Sequence, residues 1–530
     1  MIKVDIDLPL SYSDSDVREA IAGRLKFDKS EIISTALVRR TLVLSDKSNI
    51  HYKVTAAFEV SPERESGLLK MRKLVSQYLP EKLSVPTVRF NTRPVVIGAG
   101  PAGLFAALLL AESGARPVLY ERGLPVGERG ARVSAFQKLG ILDTECNVQY
   151  GEGGAGTYSD GKLKVGSPDK YKMKVLETFV DCGADEEILY SVGAHVGTDI
   201  LSGIVEKIRK KIISLGGEVR FSCRLDKIYL RDGKVVGGRI KCSERTEDFE
   251  TDTLIMATGH SARDSFEVLR EIGAPMTRRG FGIGMRIEHP REYINKLVYG
   301  ENYPDLLGSA SYHLVTHLPN GRSVYSFCMC PGGVVMPSAS ELGGIVTNGM
   351  SESARAAENS NCALLVSVTP DDFASDDIFA GLDLQRNIEK RAFLSAGGDY
   401  KAPVSALAPF LAGESARLGD VRPSYSIGTL PVSPDEYLPR FITDSVRAAM
   451  PDFDNWMPRY NLSDAVLTGP ETRSTSPIRV ERDSEKMNVV GIQGLYAVGE
   501  GAGYSGGIVS SARDGLIVAE RIISSLAPHS

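Results

Sequence analysis

The sequence predicts an α/β protein: a Rossmann-type nucleotide-binding domain, split by an inserted mixed α+β domain and preceded by a small ferredoxin-like α+β domain. Three observations carry this prediction. Residues 94–123 hold a strand, a glycine turn, a helix and a second strand; two further apolar strands end in glycine far downstream, at 253–259 and 494–500; and a βαββαβ order fills the first 93 residues. The expected domains are 1–93, then 94–275 together with 471–530, with 276–470 inserted between them.

Ile2 to Leu8 alternates apolar and charged residues and reads as a strand. Its acidic residues and the lack of a small-residue cleavage site argue against a signal peptide. Asp14 to Leu25 reads as a helix capped by Ser13 or Asp14, Ile32 to Leu44 and Ile50 to Val60 as strands, Glu63 to Tyr78 as a second helix and Leu83 to Phe90 as a strand. That order is ferredoxin-like. Pro86, Asn91 and Pro94 mark the exit.

Val95 to Ile97 then runs into Gly98, Gly100 and Gly103, spaced G-x-G-x-x-G, followed by an apolar helix and the strand Val118 to Tyr120, which ends in Glu121. Gly98 permits a tight turn, Gly100 lets backbone approach a pyrophosphate, and Gly103 lets helix pack closely on strand. Phosphates would sit at the helix N-terminus, and Glu121 would accept hydrogen bonds from adenosine ribose hydroxyls. Pro101, Ala102, Arg122 and Arg129 adjoin this cofactor site.

Lys170 to Cys182 reads as a helix, as does Ile200 to Leu215 with Thr198 or Asp199 as cap. Glu218 to Leu225, Lys227 to Leu230 and Val235 to Lys241 read as a meander turning at Asp232-Gly233. Thr253 to Gly259 is a buried parallel strand, and a glycine loop from Gly499 precedes a helix from about Ile508 to Leu526.

The formal charge of −5 over 530 residues suits neither a dominant nucleic-acid nor a membrane partner. Residues 1–93 carry 16 Lys+Arg against 12 Asp+Glu, a mild local excess. No run approaches the roughly 18 apolar residues of a membrane span. Seven scattered cysteines suit a reduced, cytoplasmic protein.

The layout of G-x-G-x-x-G, strand-Ala257-Thr258-Gly259 and strand-Gly499-Glu500 resembles the glutathione-reductase-like flavoproteins. That resemblance implies non-covalent FAD held by a Rossmann-type domain. Glu500 stands where the usual pattern has Asp, and would still accept hydrogen bonds from ribityl hydroxyls. Backbone N–H groups of Gly506, Gly507 and Ile508 would face the flavin pyrimidine ring. A narrower resemblance rests on Asn147 to Leu163 (NVQYGEGGAGTYSDGKL), His195 to Asp199, Gly282 to Pro290, Glu471 to Ile478 and the GEGAGYSGGI loop. These are similar to the bacterial FAD-dependent dehydrogenases, also called NAD(FAD)-utilising dehydrogenases. It implies that Gly153, Gly154, Ala155 and Gly156 pass close to the isoalloxazine, with Thr157, Ser159, Asp160 and Lys162 beside that path.

The expected activity is an FAD-dependent oxidoreductase acting on a small, anionic substrate. Arg473, with Ser474, Thr475 and Ser476, and Arg286, with Glu288 and His289, are the candidate catalytic groups: an arginine to clamp a carboxylate, and His289 or His195 as acid. An interdomain ion pair and a capping histidine are the plainer readings of the same residues. No second glycine-motif unit provides for NAD(P)H, so a nicotinamide donor would come from solution. Cys328 and Cys330 share a strand face under simple alternation and read as structural rather than as a redox dithiol. His313 and His317 lack further ligands for a metal site. The alternative function is an RNA-associated flavoprotein recruited through Arg39, Arg40, Lys70, Arg72 and Lys73 of the first domain.

Overall fold

A computed structural model describes residues 1–154, 169–243 and 245–527. The first domain runs β1 (Ile2–Leu8), α1 (Asp14–Leu25), β2 (Ser34–Val43), β3 (His51–Glu59), α2 (Pro62–Leu68) and β4 (Val75–Gln77). Its antiparallel sheet has the order β2-β3-β1-β4, the ferredoxin-like arrangement. Alternation along β1 buries Ile2, Val4, Ile6 and Leu8. Ser13 caps α1 through a capping box with Asp16.

Two expected elements are corrected here. The second helix stops at Leu68, and Val75, not residues 83–90, supplies the fourth strand by pairing with Val4. The apolar residues of 83–90 find burial elsewhere: Val88 lies inside the core of the next domain, and Leu83, Val85 and Phe90 pack against it. Of the basic residues considered for RNA, Lys70, Arg72 and Lys73 are exposed, whereas Arg40 ties β2 to the neighbouring domain by pairing with Glu187.

The chain continues through β5 (Val95–Ile97), α3 (Pro101–Glu112), β6 (Val118–Tyr120), α4 (Val126–Leu139), α5 (Lys170–Asp181), α6 (Thr198–Ser214), β7 (Glu218–Arg220), β8 (Cys223–Arg231), β9 (Lys234–Cys242), β10 (Arg245–Glu250), β11 (Leu254–Met256) and α7 (Arg263–Glu271). Next come β12 (Met276–Arg278), β13 (Phe281–Pro290), α8 (Arg291–Tyr299), β14 (Val315–His317), β15 (Ser323–Cys330), β16 (Val334–Pro337), β17 (Thr347–Met350) and β18 (Asn359–Val368). They are followed by α9 (Ala380–Ser395), β19 (Ala402–Ala406), α10 (Leu407–Ala412), β20 (Thr429–Pro431), α11 (Pro434–Tyr437), α12 (Arg440–Trp456) and β21 (Val466–Glu471). The chain returns through β22 (Ile478–Val480), β23 (Leu495–Ala497) and α13 (Ile508–Leu526).

A parallel sheet of order β23-β11-β5-β6-β7 forms the Rossmann-like domain. Because Ile97, Met256 and Ala497 lie in register, the three glycine-ended strands finish at one edge. Helix α3 is buried from Ala102 to Ala111, as an almost wholly apolar helix must be. It crosses α13 at close range: a Cβ on Gly515 would lie 2.1 Å from the Ala102 carbonyl oxygen. The segment expected as the first meander strand divides instead, with β7 joining the parallel sheet and β8, β9 and β10 forming the meander. Cys223 and Cys242, opposite partners in the β8–β9 register, form a disulfide. This corrects the reading of wholly reduced cysteines: a separation of 19 residues gives no sign of pairing until the register is known.

The inserted region builds a seven-stranded sheet of order β14-β15-β18-β13-β21-β19-β20, with β13, β18 and β21 almost wholly buried. No helix among the described residues is long and apolar enough to cross a membrane. The helix crossing gives a direct test. Gly515→Val should lower the urea midpoint by the equivalent of about 1–3 kcal/mol of overpacking. Gly23→Ala, in the last turn of α1 with nothing within 4 Å of its Cβ, should raise stability by about 0.5–1 kcal/mol.

Candidate flavin site and its buried ion pairs

The site begins where β5 ends. Gly98 has φ +102°, and a Cβ there would meet the Ala257 carbonyl oxygen at 2.5 Å, so only glycine lets the first turn lie on the second. A Cβ on Gly103 would stand 1.9 Å from the Gly98 oxygen, whereas one on Gly100 would meet nothing within 4 Å. The space above Gly100, at the start of α3, is therefore open to a phosphate. Pro101 and Ala102 form the first turn of that helix.

Glu121 follows β6 and is buried. It accepts from the Ala99 N–H (2.9 Å) through Oε2 and from the Gly123 N–H (2.9 Å) through Oε1, which also lies 3.3 Å from Arg129 Nη2. Arg129, fully buried on α4, donates further to the Asn147 and Leu124 carbonyls and so serves to hold Glu121 and its loop. Arg122 pairs with Asp264 and Glu145 and lies over the Tyr150 ring. With Gly123, Leu124, Ser222 and Arg224 it lines an open groove of about 370 Å³.

The Gly151–Gly154 turn covers Glu121, and a Cβ on Gly151 would strike its carboxylate. Glu152 anchors that turn from below: its Oε1 accepts from the Val126 N–H at 3.2 Å and its Oε2 lies 2.8 Å from Arg209 Nε of α6. Burial raises the Glu152 pKa, opposed by those two partners. Gly153 and Gly154 line a cavity with Ala99, Pro101, Phe105 and Ile508, which brings the starts of α3 and α13 to one space. Ala155, Gly156, Thr157, Ser159, Asp160 and Lys162 lie outside the described residues.

Ala257, Thr258 and Gly259 follow β11, and the third loop packs on them, since a Cβ on Gly501 would lie 2.6 Å from the Gly259 oxygen. Asp514 of α13 fixes that loop by accepting from the Gly499 N–H at 2.7 Å and pairing with Arg482. Glu500 is partly exposed and stands 3.6 Å from His260 Nδ1. Both ring nitrogens of His260 are buried without a hydrogen-bond partner. Gly506 and Gly507 are exposed ahead of α13, and Thr475 touches Gly506. The glycine cradle, the open helix start and the carboxylates at the ends of β6 and β23 fit FAD in an extended conformation.

The arginines expected at the chemistry are otherwise engaged. Arg473 donates through Nε (3.0 Å) and Nη2 (2.9 Å) to Glu389 of α9 and through Nη1 to Ser340. Arg263 of α7 reaches the same carboxylate at 3.1 Å and also donates to Gln385. Two guanidinium groups thus hold Glu389, buried, down at about 2. Arg286, fully buried, donates to Glu471 (3.0 Å), Asn361 (3.0 Å from Nε) and the Cys328 carbonyl (2.8 Å). Burial lifts Glu471 to about 7, against the pull of Arg286. His289 Nε2 lies 2.9 Å from the Tyr460 carbonyl and its ring packs on Tyr293 and Tyr460. Burial drops His289 to about 4, so it is neutral near pH 7 and holds no acidic proton there. The plainer reading of the arginines, ion pairs, is the arrangement observed, whereas His289 caps no helix and lies in the core. His195 lies half-buried ahead of α6.

Simple alternation at Cys328 and Cys330 also fails: Cys328 has φ +42° and the β15–β18 register shifts between Phe327 and Cys330, so the shared strand face is lost. Sequence reasoning missed His260, Arg263, Glu152, Glu389 and Asp514. The first two were in view, since they extend the second motif as ATGHSAR. The arginine-held carboxylate predicts an acid limb. Its pKa is depressed on folding, so its stabilisation is present above the unfolded carboxylate range and is lost as pH falls from about 4.5 towards 2. Glu389→Gln should unfold more readily at pH 7 and show a flatter loss of stability across that window in pH-resolved thermal melts.

Residues 96–151 match the family model of the NAD(P)-binding Rossmann-like domain, and residues 280–474 that of the FAD-dependent protein, C-terminal domain-like. A protein of Clostridium beijerinckii, described as uncharacterized, is 41% identical over 532 residues and is covered over 98% of both chains. Among solved structures, a flavin-dependent brominase is similar at 12% identity and a TM-score of 0.39, over 83% of this chain and 80% of that one. A geranylgeranyl bacteriochlorophyll reductase-like protein of Thermoplasma acidophilum is similar at 13% identity and a TM-score of 0.37, over 82% and 79%. This chain belongs to the family of the Clostridium beijerinckii protein, and it is an FAD-dependent flavoprotein with a Rossmann-like nucleotide-binding domain.

Proposed function

We propose that the protein is an FAD-dependent oxidoreductase that moves hydride or electrons to or from a small anionic substrate held beneath the inserted domain. The observation that carries this reading is the convergence of the Gly98–Gly103, Ala257–Gly259 and Gly499–Glu500 segments at one edge of the parallel sheet, with the starts of α3 and α13 facing one cavity. Bound FAD supplies the redox chemistry; the protein's own groups hold, orient and shield.

In this reading the first N–H groups of α3 face the pyrophosphate, and Glu121 accepts hydrogen bonds from the adenosine ribose. Glu500 takes the ribityl hydroxyls, with His260 beside it. The Gly506–Ile508 N–H groups point at the pyrimidine edge, where negative charge gathers on reduction. The ion pairs of Arg263, Glu389 and Arg473 clamp the inserted domain over the site and exclude water. Nicotinamide, where it is the donor, enters from solution.

Two measurements test the reading. Gly100→Val fills space that is open in the protein, so the variant should fold with the thermal midpoint of deflavinated wild type yet purify colourless. Stoichiometric flavin in that variant would remove the pyrophosphate assignment. Anaerobic mixing of the yellow holoprotein with NADH, NADPH and fractionated metabolite pools should bleach the flavin with at least one of them. A flavin that none of these reduces contradicts the oxidoreductase reading.

A further inference from the structure

Among the described residues almost every arginine close to the flavin site has a carboxylate partner; two do not. Arg279, between β12 and β13, donates to the Gly503 carbonyl at 2.9 Å and forms no ion pair among the described residues. Arg479 of β22 lies against the same glycine, where a Cβ on Gly503 would stand 2.9 Å from the Arg479 Cα. The Arg479 guanidinium sits 5.1 Å from the Tyr504 ring centroid, and its buried Nε has no hydrogen-bond partner. The two arginines thus converge on the Glu500–Tyr504 turn of the third flavin loop.

The surrounding charges leave this pair unneutralised. Burial depresses the Arg279 pKa, the neighbouring Arg479 depresses it further, and Glu500 opposes them without reaching ion-pair distance. Glu481 is held by Thr277 at 2.5 Å. Arg482, on the other side of Tyr504, is taken up by Asp514. Tyr504 is 37% exposed, so the site opens to solvent. Two half-buried guanidinium groups with free donors, backed by an aromatic face, suit an oxyanion bound by several charge-assisted hydrogen bonds.

We propose that Arg279 and Arg479 form the anion-receiving site of this flavoprotein, binding a carboxylate or phosphate group of the molecule that exchanges electrons with the flavin. This deepens the proposed function and rests on it. It also moves the substrate clamp away from Arg286 and Arg473, whose donors are consumed by Glu471 and Glu389.

The test uses FAD-loaded protein at constant ionic strength. It is titrated with inorganic phosphate, succinate, NADH and NADPH, and binding is read from the flavin difference spectrum. Wild type should give a saturable response to at least one probe. Combined Arg279→Gln and Arg479→Gln should weaken that binding by roughly tenfold or more, the loss of at least one charge-assisted hydrogen bond. Flavin content and thermal midpoint should stay unchanged. Arg479→Lys, which keeps the charge but not the fork, should fall between; Arg64→Gln, in the first domain and paired with Glu31, should match wild type. A response to phosphate and NADPH but not succinate assigns a phosphate-bearing ligand, and the reverse a carboxylate. No saturable response in wild type, undiminished binding in the double variant, or loss of FAD from it would overturn the proposal; the last would assign the arginines to the cofactor's own phosphates. Flavin reduction separates the two ideas. A variant reduced as readily as wild type sinks the anion site and leaves the oxidoreductase reading, whereas lost anion binding with no reduction in either protein does the opposite.

Discussion

The structure depends on backbone approaching backbone where no side chain could fit. The Gly98 turn lies on Ala257, Gly103 on Gly98, Gly501 on Gly259, and Gly515 on Ala102. Three of these contacts join segments remote in sequence, first turn to second, third loop to second and last helix to first, and the other seats α3 on the turn that precedes it. Any Cβ at these positions would push the segments apart by an ångström or more. The cradle would then open, because the ends of β5, β11 and β23 hold one edge only while their loops interlock. The convergence of the α3 and α13 N-termini on one cavity follows from the same contacts.

A second layer of order comes from buried charge. Arg129 with Glu121, Arg286 with Glu471, and Glu389 with Arg263 and Arg473 are all withdrawn from water. Such pairs recover their desolvation cost only when geometry is close and the remaining donors are satisfied. They consequently act more as position markers than as sources of net stability. Glu389 joins α9 to α7 through Arg263 and to the segment after β21 through Arg473. Arg279 and Arg479 stand apart from this pattern, and the contrast gives them functional weight.

Much of the flavin domain was legible because its signals are local. A glycine spacing, an apolar strand and a terminal acid sit within thirty residues, and the order of the three motifs matches the sheet that joins them. The ferredoxin-like topology was equally readable, but its last strand was misplaced: alternating apolar residues at 83–90 satisfy either a strand or an extended segment lying on a neighbouring core, and only the neighbour decides. The roles of Arg286, Arg473 and His289 could not be read, since their partners Glu471, Glu389 and Tyr460 come from other strands, helices and loops. The Cys223–Cys242 bond depends on strand register in the same way. His260 and Arg263 were within reach, because the second motif continues past Gly259 as ATGHSAR.

The central claim is that this is a full-length FAD site with an adenosine-holding end at Glu121 and a ribityl-holding end at Glu500. Titration of deflavinated protein with FAD and with FMN, followed by quenching of flavin fluorescence, tests it most directly. The structure predicts stoichiometric, tight uptake of FAD and far weaker uptake of FMN, which has nothing to place at Glu121 or at the helix start beyond its single phosphate. Equal affinity for the two, or binding of neither, would contradict the account.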